Sequence, residues 1–313
     1  MAQPSETFDT YDSIGEREDL SDVIYNISPT DTPFLSSAAK TQATAVLHEW
    51  QTDSLAAAVT NNAVIEGDEA TADAVTATTR LSNSSQILDK VVTITGTQEA
   101  VDKAGRASEI AYQIAKKAKE LKRDLESSLT SNNAEVTGSA SAARVLGGLG
   151  SWVATNDVFG SGGASGGLGN TARTNGTQRA FTEAQLKSVI KSVWNAGGNP
   201  QIIMVGPFNK QKLSGFTGNS TRFDAGADAT LYTSVDVYAS DFGQTQVIPN
   251  RFSRDRDGWV LDMDYWGVAF LRDFSMHELA KTGDTEKRQL LVECTLESRN
   301  EAASGLIADL TTS

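Results

Sequence analysis

Thr97-Gln-Glu-Ala-Val-Asp-Lys-Ala-Gly-Arg-Ala-Ser-Glu-Ile-Ala-Tyr-Gln-Ile-Ala-Lys-Lys-Ala-Lys-Glu-Leu-Lys-Arg-Asp-Leu-Glu-Ser-Ser-Leu129 is the stretch around which the rest of the chain must be arranged. Ile110, Ile114, Leu121, Leu125 and Leu129 fall at helical spacings with alanines on the same face, so the periodicity predicts one amphipathic helix. Thr95 with Gln98 has the form of a capping box at its start. At 1.5 Å per residue, a helix over residues 97–129 runs about 50 Å, long for a globular protein. The run Lys116, Lys117, Lys119, Lys122 and Arg123 is the most basic in the chain. It lies near the helix C-terminus, where cations suit the dipole, and it reads as a solvated face in preference to a DNA contact.

Upstream, Val46–Trp50 and Lys90–Ile94 are strand-like, and the Ala/Thr/Asn-rich sequence between them carries Glu66-Gly67-Asp68-Glu69 near its middle. Two strands around a long hydrophilic excursion predict an extended hairpin, which needs a partner surface to be stable. Residues 1–40 are polar with scattered apolar anchors, among them Phe8, Ile14, Tyr25 and Phe34, while Pro29 and Pro33 interrupt any helix there. Such an arm is expected to lie across another surface, that of a neighbouring subunit.

Downstream, the Gly/Ser-rich run from Gly160 to Asn170, ending near Gln178, reads as a flexible surface loop. Residues 182–196 predict a helix with Leu186, Val189, Ile190, Val193 and Trp194 on one stripe. Thr182 and Gln185 form its capping box, Phe181 and Leu186 a hydrophobic staple, and Gly197 its stop. Gln201–Val205 reads as a buried strand, and Gly206-Pro207 as the start of a short helix. Further strands are expected at Leu231–Ala239, Gln244–Ile248, Trp259–Met263, Val268–Leu271 and Gln289–Glu297.

Composition narrows the function classes. The chain has 313 residues, 39% hydrophobic and 21% charged, with a formal net charge of −13. That balance argues against a dedicated nucleic-acid binder. The one cysteine, Cys294, excludes an internal disulfide and reads as a small core residue beside Leu290, Val292 and Leu296. Two histidines, His48 and His277, lack zinc-site spacing. The N-terminus does not have the form of a secretory signal, and no apolar run reaches membrane-spanning length, so a soluble protein of a reducing cytoplasm is expected, with no membrane partner.

Catalytic motifs are weak. Gly163-Ala-Ser165-Gly-Gly167 matches the nucleophile-elbow pattern, but no apolar strand precedes it and His277 is the only downstream histidine. Arg254-Asp-Arg-Asp-Gly258 lacks the closing glutamate of a calcium loop and reads as a hairpin turn, and Asp262 and Asp264 read as surface acids. No catalytic, cofactor or metal residue is assigned.

Several stretches carry a resemblance. Thr10–Tyr25 and Ile27–Leu35 resemble the N-terminal signature of the SU10-like major head proteins of tailed bacteriophages. Val247–Arg251, Leu261–Tyr265, Val268–Leu271, Glu278–Gly283 and Glu293–Asn300 are similar to its second signature, and Gly147–Trp152 and Gly197–Pro200 fit between them in family order. The resemblance implies the α+β HK97-type capsid fold. Its parts would be an N-terminal arm (1–43), an extended hairpin or E-loop (44–96), a spine helix with the first part of a peripheral domain (97–180), an axial domain (181–243) and returning peripheral strands (244–313).

It further implies a virion shell subunit forming pentamers and hexamers around double-stranded DNA, without sequence-specific binding, assembled in a bacterial host cytoplasm. Expected assembly contacts are Phe8, Tyr11, Ile14, Tyr25, Phe34, Trp50, Glu66 and Asp68. Trp50 would anchor the hairpin base, with ordinary core packing as the other reading. Some capsids of this fold crosslink through a lysine on the extended loop. Residues 51–79 contain none, so closure without covalent bonds is expected, with Lys40 and Lys90 at the loop's base the residues to watch. The chain starts directly at the arm, so scaffolding is expected from a separate protein, with a portal and a decoration protein as further partners. Competing readings are an encapsulin-like compartment, a tail or decoration protein, and a serine hydrolase using Ser165.

Overall fold

A computed structural model describes residues 30–70, 72–103, 105–216 and 236–313. Among these residues six α-helices run in chain order: α1 (Pro33–Ser37), α2 (Gly96–Ala100), α3 (Glu109–Leu129), α4 (Leu149–Trp152), α5 (Glu183–Asn195) and α6 (Pro207–Ser214). The first strands are β1 (Ala39–Gln42), β2 (Leu47–Thr52), β3 (Thr79–Ser84), β4 (Gln86–Thr95), β5 (Asp157–Val158) and β6 (Ile202–Val205). The later ones are β7 (Val237–Ser240), β8 (Gly243–Pro249), β9 (Gly258–Leu261), β10 (Trp266–Leu279), β11 (Thr285–Ser298) and β12 (Gly305–Ile307).

The single helix predicted over 97–129 is two. Thr95 caps the short α2 by accepting from Gln98 N at 3.3 Å. Gly105 then turns the chain at φ +75°, and Ser108 caps α3 by accepting from Ala111 N. Glu99 reaches across the break to accept from Glu109 N and Ile110 N, and its hydrogen bond with Ser108 leads the causes that hold its carboxyl below the ordinary range. Competing caps thus divide the periodic run, leaving α3 about 32 Å long.

The closing strand of the hairpin also differs from expectation. β2 pairs antiparallel with the polar β3, Trp50 opposite Leu81. Lys90–Ile94 belongs instead to β4, which pairs with β11 in a four-stranded sheet of order β1-β10-β11-β4. Alternate residues of β4 turn toward α3, so Val92 and Ile94 are buried while Val91 stays exposed.

A second sheet has the order β5-β12-β9-β6-β8-β7. Its central strands divide their side chains between two cores. Met204, Trp259, Leu261 and Leu306 face the core that includes Leu125, Leu129, Trp152, Trp266 and Cys294. Ile203, Val205, Val260 and Ile307 face Leu186, Val189, Ile190 and Val193 of α5. Burial on both faces is why these strands read as unbroken apolar runs, and each fully buried aliphatic contributes roughly 1.5–3 kcal/mol. The capping box of Thr182 and Gln185 is present, Gly197 ends the helix at φ +91°, and Pro207 opens α6. Trp194, by contrast, lies off the buried stripe, 53% exposed against Phe242.

The strand expected at Leu231–Ala239 begins at Val237, and residues 231–235 lie outside the described residues. β8 begins at Gly243 and β9 and β12 follow it, yet all three hydrogen-bond into the same sheet as β6. A boundary at 243/244 therefore separates β7 from the strand it pairs with.

The Gly/Ser-rich segment is tied down along its length. Ala164 and Thr174 exchange backbone hydrogen bonds, Gly169 N donates to Ser151 O, and Thr177 N donates to Ser161 O. Its glycines allow close approach: a Cβ on Gly169, at φ +88°, would stand 2.6 Å from Trp152 Cζ2. Within it lies Arg173, wholly buried, whose Nη2 donates to Asp257 at 2.6 Å while Nη1 pairs Asp309 at 3.3 Å. Arg254 and Arg256 complete the cluster from the other side. Asp257 is thus a buried ion-pair partner rather than just a turn residue. Asp262, expected at the surface, is buried as well and accepts from Asn199 N and Asp264 N.

Candidate assembly surfaces

The hairpin has a stiff root and a bare tip. At the root, Asn83 is fully buried, donating to Gly147 O and Leu296 O and accepting from Gly147 N at 2.8 Å. Ser85 donates to Glu293, which also holds Arg144 and Arg272. Trp50 donates from Nε1 to Ser298 O at 2.7 Å and stacks on Trp152 with ring centroids 5.4 Å apart. Trp50 therefore fastens β2 to the body by both routes weighed for it, anchor and core packing. Glu297 gathers three neighbours: Thr41 Oγ1 at 3.0 Å, Arg299 Nε at 3.1 Å and His48 Nε2 at 3.6 Å. With His48 the leading cause, followed among the lowering contacts by Arg299 and Thr41, its carboxyl is lowered to about 2 despite partial burial.

Beyond the root, residues 53–70 and 72–78 contain no helix or strand and are exposed throughout. Leu55 is 99% exposed and Val75 97%, with Val59, Val64 and Ile65 also open. Glu66 and Asp68 sit on the turn closed by Asp68 N donating to Ile65 O, with Gly67 at φ +84°. Together with Asp53, Glu69 and Asp73 they leave this loop acidic and apolar, with no lysine or arginine.

The arm meets the body through Glu126, a residue that sequence reasoning passed over. Its carboxylate is buried on the apolar face of α3 between Leu125 and Leu129. It accepts from Phe34 N and Leu35 N, both at 2.8 Å, and from Asn250 Nδ2 at 2.7 Å. It thus caps α1 from outside. Burial pushes its pKa up, against the three donors that pull it down. Phe34, expected at an inter-subunit contact, is instead a core residue of its own chain, 1% exposed and edge-on to Trp266. Pro33 starts a helix whose capped end drives that ring inward. Phe8, Tyr11, Ile14 and Tyr25 lie outside the described residues.

Other candidates are scattered. Ser165 is exposed and hydrogen-bonded with Asp157, whereas His48 faces Glu297 and the exposed His277 bonds Ser275. Lys90 at the hairpin base is held by Asp124 of α3 at 2.6 Å, and this hydrogen bond raises its pKa. Among the described residues no group of three or more His, Cys, Asp or Glu side chains is arranged to hold a metal ion, and no helix is long and apolar enough to cross a membrane.

An arm docked by its first turn, a long exposed hairpin loop, a helix lying against a long antiparallel sheet, and a second sheet backed by a helix together define a shell-forming subunit of the HK97 capsid fold. Solved structures of that class share it. A capsid chain of cyanophage A-1(L) matches with a TM-score of 0.62 at 14% identity, covering 97% of this chain and 98% of that one. A chain from Microbacterium phage Oxtober96 matches at 0.60 and 13%, covering 95% and 96%. The SrpI encapsulin complex of Synechococcus elongatus PCC 7942 matches at 0.55 and 12%, covering 96% and 94%. In sequence, the major capsid protein of Escherichia phage Phieco32 is 30% identical, with 98% of this chain and 97% of that protein covered. Residues 3–311 match the SU10 major capsid protein family, and the chain belongs to it. It is a major capsid protein, a structural subunit of the phage virion.

Proposed function

We propose that this subunit forms pentamers and hexamers that close into an icosahedral shell around double-stranded DNA, held together without covalent crosslinks. The observation that carries the reading is the loop at 53–78: large aliphatic side chains stand almost wholly in solvent on a root fixed by buried hydrogen bonds. Isolated exposed aliphatics are ordinary, but five on one loop mark a surface that another chain covers. Draping the loop over neighbours spreads modest contacts over a large area, as obligate assemblies do.

In this frame residues 1–43 act as the arm, 44–96 as the extended loop and 97–180 with 244–313 as the peripheral part, while the axial part of 181–243 shares its sheet with β8, β9 and β12 of the later segment. Non-covalent closure is supported by the absence of lysine from residues 51–79 and by the pairing of Lys90 with Asp124 of its own chain. Assembly takes place in the host cytoplasm, with a scaffolding protein, a portal and a decoration protein as the partners to test. The chain's net charge of −13 serves solubility through mutual repulsion and also disfavours adhesion of packaged DNA.

The test is electron microscopy and light scattering of the full-length protein, purified alone and after co-expression with a scaffold. Closed particles or ring-shaped oligomers are expected, with nucleic-acid content separating a head from a cargo compartment. A monomer under every condition would sink the reading.

A further inference from the structure

Asn175-Gly176 is the one Asn-Gly dipeptide in the chain, and it lies in the Gly/Ser-rich segment against the buried arginine cluster. At such a pair an asparagine amide is readily lost, because the glycine nitrogen has no side chain beside it to hinder attack on the amide carbon. The surroundings here add chemistry to that tendency. Asn175 is exposed, and its Oδ1 accepts from Arg254 Nη2 at 2.8 Å. On the other side, the Gly176 N–H donates to the Asp309 carboxylate. Arg256 Nη2 pins the backbone by donating to Gly176 O at 2.7 Å. Asp309 is fully buried at φ +60°, a left-handed backbone that a non-glycine residue keeps only where its neighbours fix it. Its carboxylate is held by Gly160 N at 3.0 Å and by Arg256 and Arg173.

Charge in the cluster is uneven. Among the described residues, Arg173, Arg254 and Arg256 are ion-paired with two carboxylates, Asp257 and Asp309. Arg179 lies within reach of the Asp309 charge, and Asp157, hydrogen-bonded with Ser165, faces Arg173 at longer range. A carboxylate at position 175 would meet Arg254 where the amide oxygen now does.

We propose that Asn175 is a self-modifying site, its amide converted to a carboxylate by its own chain with Arg254 and Asp309 assisting. Gly176 N attacks Asn175 Cγ, and the new C–N bond closes a cyclic imide. Arg254 stabilises the negative charge that develops on Oδ1. Asp309 draws the N–H proton, and the side-chain nitrogen takes up a proton and leaves as ammonia. Water then opens the ring to aspartate or isoaspartate, so that water is consumed, ammonia is released and nothing is oxidised. The change runs one way and completes the arginine cluster after the chain has folded.

The experiment ages the full-length protein at neutral pH, folded in buffer and, in parallel, unfolded in guanidinium chloride. Trypsin releases residues 174–179, between Arg173 and Arg179, for mass spectrometry. The mass gain of amide-to-acid conversion, with isoaspartate read by an isoaspartyl methyltransferase, is expected about tenfold faster in the folded chain. A folded chain that keeps its amide as long as the unfolded one, or longer, overturns the proposal, because the fold then shields the pair. Arg254→Gln should abolish the acceleration and Arg254→Lys restore part of it; an undiminished rate in Arg254→Gln also overturns it. The parent comparison needs no substitution and decides the matter even where a variant misfolds. Asn175→Asp, the product made directly, should raise the urea midpoint of the unassembled subunit. An unchanged or lower midpoint would overturn the completion of the cluster.

Discussion

Glu126 satisfies three buried donors with one carboxylate, and two of those donors are the first backbone N–H groups of the arm's helix. Removing it strands all three. Glu126→Ala is expected to destabilise the unassembled subunit by roughly 2–4 kcal/mol, read from urea unfolding. Glu126→Gln keeps one acceptor oxygen and should lose clearly less. A Glu126→Ala variant as stable as the parent would show that α1 is not held this way. In the sequence this residue was half legible: a glutamate flanked by Leu125 and Leu129 on the apolar stripe is out of place on a surface. Its partners, ninety-odd residues before it and 124 after it, were not. Phe34 was misassigned because an apolar residue in a polar arm looks the same whether it anchors to a neighbour or to its own core.

Among the elements, those built from local signals were readable and those built from distant partners were not. The capping box and apolar stripe of α5 fix that helix within fifteen residues. β3, reading Thr-Arg-Leu-Ser-Asn-Ser, shows no alternation, and only the buried Asn83 and the pairing with β2 make it a strand. The Gly-rich segment looked flexible because Arg173 finds Asp257 and Asp309 at separations of 84 and 136 residues. Its rigidity is testable. Gly169→Val places a branched Cβ against Trp152 at a positive φ and should cost about 2–4 kcal/mol, seen as a lower urea midpoint and an altered near-ultraviolet signal. Gly162→Ala, also at positive φ but with nothing within 4 Å, should cost only about 1 kcal/mol. Equal losses at the two sites would mean that close packing is not what the glycines serve.

For the whole molecule, Glu297 is the group that joins arm strand, hairpin and main sheet, through Thr41, His48 and Arg299. Its folded pKa of about 2 lies below the ordinary 4.5, so its contribution is fully present above pH 4.5 and lost as pH falls through 2. The span corresponds to roughly 3 kcal/mol. Unfolding free energy of the subunit should decline over that window, and Glu297→Gln should flatten the decline; an unchanged slope would assign the acid sensitivity elsewhere. The same sheet has a kinetic consequence. β1 pairs with residues 267–270 and β4 with 285–294, contacts spanning about two hundred positions, and chains dominated by such distant pairings fold slowly. The hairpin root is fastened to Ser298 and Leu296, so the loop is presented only once that sheet has closed. Topology thus acts as a timer: the loop takes up its fixed root late, after strands two hundred positions apart have paired, and until then the open strand edges leave the new chain exposed to aggregation.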